Sequence, residues 1–185
     1  MSDLQQKEKL EIQLREAYGR VTYTYTSHLK FMNRLNQKNK LLRYSQITLS
    51  AISTGGFLGT FIFDKIILTT IAGLVSAVLL ALNLFFKNFE LDEESKQHRV
   101  AADKLWLIRE KYVALLTDFE TLSIKEIVVT RDILREETYI IYSESPKTDK
   151  KSYSESQKAL KNEEEQFFTE VELDKMLPLQ LRKNK

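Results

Sequence analysis

The chain has 185 residues, of which 43% are hydrophobic and none is cysteine, and its formal net charge is +2. The lack of cysteine excludes disulfides, thiolate metal sites and cysteine nucleophiles, and it suits soluble parts that face a reducing cytosol. The small net charge hides an asymmetry, because residues 1–43 carry nine Lys or Arg against four acids, whereas residues 87–185 carry 18 against 21.

Residues 1–43 are predicted to form an N-terminal cytosolic amphipathic helix. Apolar and small side chains recur from Leu10 to Leu35 in steps of three and four, the spacing that places them on one helical face. His28 lies on that face, and the other histidine, His98, lies far along the chain. We interpret His28 as structural, because no companion is spaced to share a metal ion or a proton with it.

The end of this arm is strongly basic. Residues 28–43 hold five basic side chains and no acid, namely Lys30, Arg34, Lys38, Lys40 and Arg43. Basic residues beside a membrane span favour the cytoplasmic side, and each contributes about 1 kcal/mol at an anionic leaflet. The arm is therefore expected to contact lipid headgroups. Direct contact with nucleic acid is a weaker alternative, because phosphates attract the same charges.

Residues 44–86 are predicted to form a transmembrane hairpin. Asp64 and Lys65 are the only charged residues there, and each flanking half has the length of about 20 residues that a helix needs to cross a bilayer. The prediction is an all-α membrane protein with two spans and long cytosolic N- and C-terminal helices in a bundle. Two spans return the chain to its starting side, so both termini are expected in the cytoplasm. The alternative, a buried hairpin of a soluble domain, needs more apolar chain than the polar remainder supplies.

The two predicted spans carry two recurring patterns. Residues whose numbers sum to about 129 should lie at equal depth in the bilayer. Small residues recur every fourth position and are expected to close the hairpin, at Ala51, Gly55, Gly59, Gly73, Ala77 and Ala81. Polar residues recur every seventh position, nearly opposite on the first helix, and are expected to face neighbouring copies or an aqueous pore, at Gln46, Ser53, Thr60, Thr69, Ser76 and Asn83. Hydroxyls that bond their own backbone carbonyls are the alternative.

Residues 87–185 are predicted to form a C-terminal cytosolic helical region. The second span should continue into a long helix with an apolar stripe that includes Leu105 and Tyr112, and these stripes are expected to be buried by self-association into a homo-oligomer. Capping boxes at Ser123 and Thr169 predict two further helix starts. Breaks are expected at prolines 146 and 178.

No motif for an enzyme is present. Phosphate-binding glycine loops, zinc-protease helices and nucleophile elbows all lack their signatures, and the carboxylates lie on charged amphipathic faces. We therefore expect a protein that is not an enzyme, with no catalytic residue, no metal site and no cofactor.

A predicted cytosolic helix and two closely linked spans are followed by a helical C-terminal region with the motif A-x-x-L-W-x-x-R-x-x-Y-x-x-L-L, which here is Ala102, Leu105, Trp106, Arg109, Tyr112, Leu115 and Leu116. This layout and motif resemble the SLATT family of bacterial two-transmembrane effectors, and the motif residues are taken as scaffold. The tail is similar to the branch of the family found beside reverse transcriptases, through Ser145-Pro146, Tyr153, Ala159-Leu160, the acidic run at 163–165, Phe168-Thr169 and Leu177-Pro178.

The resemblance implies a pore-forming or membrane-perturbing effector of antiphage defence in the bacterial inner membrane. Such an effector is held inactive until a partner releases it, either a reverse transcriptase with its nucleic acid or a nucleotide-signalling enzyme. The alternative is a non-conducting membrane scaffold that anchors or regulates a nucleic-acid-synthesising partner.

Overall fold

A computed structural model describes residues 3–63, 66–87 and 90–183, without the side chains of residues 60–63, 85 and 87. Over these residues the chain forms six α-helices and no strand, which confirms the all-α prediction. The helices are α1 (Asp3–Phe63), α2 (Ile66–Lys87), α3 (Leu91–Thr117), α4 (Ile124–Glu144), α5 (Lys150–Lys161) and α6 (Glu170–Met176), and a 3-10 turn (Leu179–Leu181) follows.

The longest helix joins the basic arm to the apolar segment. α1 runs for 61 residues through the expected boundary at residue 43, where no proline or capping residue interrupts it. By contrast, the predicted continuation of the second apolar helix into the cytosolic helix is wrong. Glu90 has a non-helical backbone, and α3 begins after it with three acids in its first turn, which favour a helix N-terminus.

Local sequence signals set several helix ends as predicted. Ser123 and Glu126 form the expected capping box at the start of α4, with the Ser123 amide donating to the Glu126 carboxylate at 2.8 Å. Thr169 and Glu172 form the second box at the start of α6. α4 and α6 end just before prolines 146 and 178, which confirms both breaks.

The N-terminal part of α1 packs against α3, α4 and α5 in a helical bundle. Its hydrophobic core consists of Leu10, Leu14, Val21, Leu105, Ile108, Tyr112, Leu115, Phe119, Ile127, Leu134 and Ile141. Leu105 is 0% exposed and Tyr112 is 3% exposed, so the predicted self-association through this stripe is wrong for these residues. The reason is that α3 folds back on α1, and the two apolar stripes bury each other within one chain.

The C-terminal part of α1 packs against α2, and the two helices leave the bundle as an antiparallel pair. Within the described residues, the segment of α2 from Ile66 to Leu84 is the one stretch long and apolar enough to cross a membrane, and only 6% of it is buried. The loop expected at Asp64 and Lys65 lies outside the described residues.

Candidate functional site: the apolar hairpin and its polar contacts

Polar side chains join the two helices of the hairpin. The Gln46 side-chain amide donates to the Asn83 amide oxygen at 2.9 Å, and the Ser53 and Ser76 hydroxyls hydrogen-bond to each other. Both pairs match the expected equal depths, which confirms the antiparallel register. Thr69 is exposed on α2, and the side chain of Thr60 lies outside the described residues.

The small residues do not close the hairpin as predicted. A Cβ added at Gly55 or Gly73 would meet no atom within 4 Å, and among the three predicted glycines only Gly59 has a close neighbour, Leu68. The alanines of the predicted face are exposed, at positions 51, 77 and 81.

The close approach is made instead by Gly56, where a Cβ would lie 3.1 Å from the Cβ of Ala72. Hydrogen bonding explains why the polar residues and not the predicted small residues face the partner helix. Lipid offers no hydrogen-bond partner to a side-chain amide or hydroxyl, so pairing Gln46 with Asn83 stabilises the hairpin more than packing of the small residues would. Four residues of the polar stripe therefore contact each other across the hairpin in this structure, namely Gln46, Ser53, Ser76 and Asn83.

The Gln46–Asn83 pair makes a quantitative prediction. Gln46→Leu is expected to lower the stability of the hairpin by about 1 kcal/mol, because Asn83 is left with an unpaired amide. Asn83→Leu should have a similar effect, and the double leucine variant should recover most of the loss. Thermal unfolding of the wild type, the two single variants and the double variant in one detergent gives a double-mutant cycle. Strictly additive losses of stability would contradict the pairing.

A buried polar layer lies between the hairpin and the hydrophobic core, where α1, α3 and α5 meet. His28 and His98 approach with 2.8 Å between their Nδ1 atoms, and both side chains are buried. The Phe31 ring stacks on His98, with 4.2 Å between ring centroids. Beside them, the Ser27 and Ser156 hydroxyls share a hydrogen bond of 3.0 Å.

Burial shifts the protonation of the histidine pair. Loss of solvation, followed by the charge of His98, lowers the pKa of His28 to about 4. Loss of solvation also lowers the pKa of His98, against a smaller opposing effect of Asp149. Both imidazoles are therefore neutral at physiological pH, and one Nδ1 donates to the other. The sequence hid this pair because 70 positions separate the two histidines, although both fall on predicted apolar stripes.

The family of the chain follows from its sequence together with this architecture. A family model, described as SMODS and SLOG-associating 2TM effector domain family 4 (SLATT_4), matches residues 10–172. The match covers most of α1, the hairpin and the bundle. The chain belongs to this family. No curated protein and no solved structure matches the chain.

The SLATT motif residues mainly build the bundle core. Ala102, Leu105, Tyr112 and Leu115 are buried, and Leu116 packs against the core. Arg109 is half-buried, pairs with Glu110 at 2.6 Å and lies over the Tyr18 ring. Trp106, by contrast, is 48% exposed, and core packing does not explain it.

Ion pairs of Arg34 with Asp149 and Glu155, called here the ionic clamp, hold α5 of this SLATT protein on α1. The Arg34 guanidinium donates to both oxygens of Asp149 at 2.8 Å and to Glu155 at 3.1 Å. Burial alone would raise the pKa of Asp149, but the hydrogen bonds from Arg34 and Ser152 outweigh it and hold that pKa well below its usual range. Lys30 pairs with Glu165 at 2.6 Å, which ties the acidic run to the same chain.

The basic side chains of residues 28–43 are therefore only partly free to contact lipid. Lys30 pairs with Glu165 and Arg34 with Asp149 in the C-terminal region, and Arg43 pairs with Asp92 at 2.6 Å. Lys38 and Lys40 are exposed. Among the described residues, no group of three or more His, Asp or Glu side chains is placed to hold a metal ion.

Proposed function

We propose that this SLATT protein is a membrane effector of a bacterial antiphage defence system that permeabilises the inner membrane when a partner triggers it. The observation that carries the proposal is the contrast between its two parts. A packed, ion-paired bundle continues through α1 into an apolar hairpin, and only 6% of the apolar stretch Ile66–Leu84 in that hairpin is buried. Exposed apolar surface on this scale is unfavourable in water and favourable in a bilayer.

In this proposal the hairpin crosses the membrane twice. The family description of a 2TM effector domain supports two spans. So do the hydrogen-bonded pairs between α1 and α2, because a single span would leave Gln46 and Ser53 without their partners. The exposed Lys38 and Lys40 beside the hairpin favour the cytoplasmic side, so both termini are placed in the cytoplasm.

Permeabilisation requires several copies, because two helices cannot enclose a pore. The outward faces of the hairpin, with Ala51, Gly55, Gly73 and Ala77, leave room for the close approach of a second hairpin. The polar pairs face inward, so they could line a lumen only after the hairpin opens. A triggering partner, a reverse transcriptase or a nucleotide-signalling enzyme, would supply that change through the cytosolic bundle.

The second candidate function is a non-conducting membrane scaffold for a nucleic-acid-synthesising partner. The closed polar pairs favour it, because a hairpin that satisfies its own polar groups needs neither a lumen nor a neighbour. The two functions differ in one measurable property, the membrane potential.

Topology is tested with single cysteines, since the natural chain has none. Cysteines placed at Glu8 and Lys151 should resist a membrane-impermeant thiol reagent in intact spheroplasts and react after permeabilisation. A cysteine at Asp64, in the expected far-side turn, should react in both. Labelling at Glu8 or Lys151 in intact spheroplasts would overturn the topology.

Function is tested by the membrane potential of cells that produce the protein with its genomic neighbours, before and after phage infection. Infection is expected to depolarise cells with the wild-type chain. If the stripe lines the active pore, the Gln46→Leu/Asn83→Leu double variant should depolarise them less at equal membrane abundance. A wild-type chain that inserts and assembles without depolarisation would support the scaffold.

A further inference from the structure

A groove of about 260 Å³ lies between α1 and α4, and Tyr112 of α3 also lines it. Its lining includes three arginines and three tyrosines and no acidic residue: Arg20, Arg131, Arg135, Tyr112, Tyr139 and Tyr142. Neither the hairpin nor the ionic clamp uses these side chains. The groove therefore needs an explanation of its own.

The tyrosines form the floor and one wall of the groove. Tyr112 is buried at the floor, and burial raises its pKa, so its phenol stays neutral. The Tyr142 hydroxyl donates to the Thr24 hydroxyl at 3.2 Å, which orients that ring. Tyr139 is 65% exposed and presents its ring to solvent. An aromatic wall of this kind accepts a planar ring by stacking.

The arginines give the groove an excess of positive charge. Arg131 and Arg135 lie one turn apart on α4 and share a single carboxylate, Asp132, at 2.9 and 3.5 Å. Arg20 enters from α1 and pairs with Glu16 at 3.3 Å, where both side chains are exposed. The ion pairs of Arg20 and Arg135 are exposed and therefore weak, so an incoming anion can replace their carboxylates at small cost.

Stacking surfaces beside guanidinium groups match one ligand chemistry, a planar base joined to a phosphate. Guanidinium groups bind phosphate through paired hydrogen bonds, and tyrosine rings stack on bases without strong sequence preference. The volume lies just below the range of about 300–1,000 Å³ typical of ligand pockets, which suits one nucleotide unit. We propose that this groove is a binding site for a nucleoside monophosphate or a nucleotide unit of that size.

The site is tested by titrating the detergent-purified full chain with AMP and GMP. Adenosine and inorganic phosphate are titrated separately, because each represents one half of a nucleoside monophosphate. This test does not depend on membrane activity, so it can fail while the proposed function holds. The monophosphates are expected to bind at least about tenfold more tightly than either half alone, because stacking and charge-assisted hydrogen bonds both contribute. Monophosphates that bind no better than inorganic phosphate would show a simple anion site and overturn the proposal, as would no binding at all.

Matched variants locate the site. Arg135→Gln is expected to weaken AMP binding about tenfold, whereas Arg99→Gln on α3 should leave it unchanged. Arg99 is a matched control for Arg135, since both side chains are about 70% exposed and each pairs with a nearby aspartate on its own helix. Tyr139→Leu should remove most of the advantage of AMP over phosphate. All three positions are exposed, so circular dichroism should show unchanged folding, and equal binding by Arg135→Gln and wild type would refute the site.

Discussion

Acidification from pH 7 to pH 4.5 is expected to destabilise the helical bundle through His28 and His98. Burial and the neighbouring imidazole lower the pKa of His28 to about 4 in the folded chain, whereas an unfolded histidine titrates near 6.5. Between these values the unfolded chain binds a proton that the folded chain does not. Stability is therefore complete above pH 6.5 and falls as the pH decreases, by at most about 3 kcal/mol for His28 over the whole interval.

The geometry of the pair explains why the proton is excluded. At 2.8 Å, one Nδ1 must donate and the other must accept. Protonation of the accepting Nδ1 makes both nitrogens donors, so the hydrogen bond is lost and a positive charge is placed in a buried site. The Nε2 atom of His98 is buried with no hydrogen-bond partner among the described residues, so it offers no compensation.

Denaturant unfolding followed by circular dichroism from pH 7.5 to pH 4.5 measures this effect. The matched control is the His28→Leu/His98→Leu variant, whose stability should be nearly flat over the same interval. Acids with lowered pKa values, such as Asp149 and Glu126, lose their contribution only below about pH 4.5. The pH range in which the histidines lower the stability is therefore separate from the range in which these acids do. Equal pH slopes for wild type and the double variant would show that the pair does not titrate as the structure requires.

Gly56→Leu is expected to destabilise the hairpin by about 1–3 kcal/mol, whereas Gly55→Leu next to it should not. A Cβ at Gly56 lies 3.1 Å from the Cβ of Ala72 and 3.6 Å from the backbone oxygen of Leu68, so a leucine must force the helices apart. A Cβ at Gly55 meets nothing within 4 Å.

The adjacent glycines make a well-matched pair. Each substitution removes one glycine from the same helix, so the gain in helix propensity, up to about 1 kcal/mol, is shared. The difference in melting temperature between the two variants in detergent isolates the packing term. Equal stabilities would place the α1–α2 contact on a different face of α1.

Local rules were sufficient for much of this protein. Capping boxes at Ser123 and Thr169 need only residues three positions apart, and prolines stop a helix through their own ring, so these helix ends could be predicted from sequence. The antiparallel register of the hairpin was also predictable, because a turn of two residues leaves one alignment and places Gln46 opposite Asn83. The apolar stripes correctly indicated which faces are buried.

Other features depended on contacts between distant segments. The small and polar faces of the hairpin are both plausible interfaces by spacing alone, and the choice between them depends on whether Gln46 reaches Asn83 in three dimensions. The stripes of α1 and α3 could equally be buried between copies or within one chain. The helix break at Glu90 lets α3 pack along α1, so the two stripes are buried within one chain.

The sequence by itself determined the all-helical class, the helix ends at the two capping boxes and the two prolines, the apolar hairpin and the basic arm beside it, because each depends on side chains within one or two helical turns. Tertiary structure decided the partners: His28 with His98, Arg34 with Asp149, and the tyrosine rings of α4 beside Arg20. Each of these contacts joins residues at least 70 positions apart. Helical periodicity specifies which face a residue occupies, and only the packing of helices specifies which other face it meets.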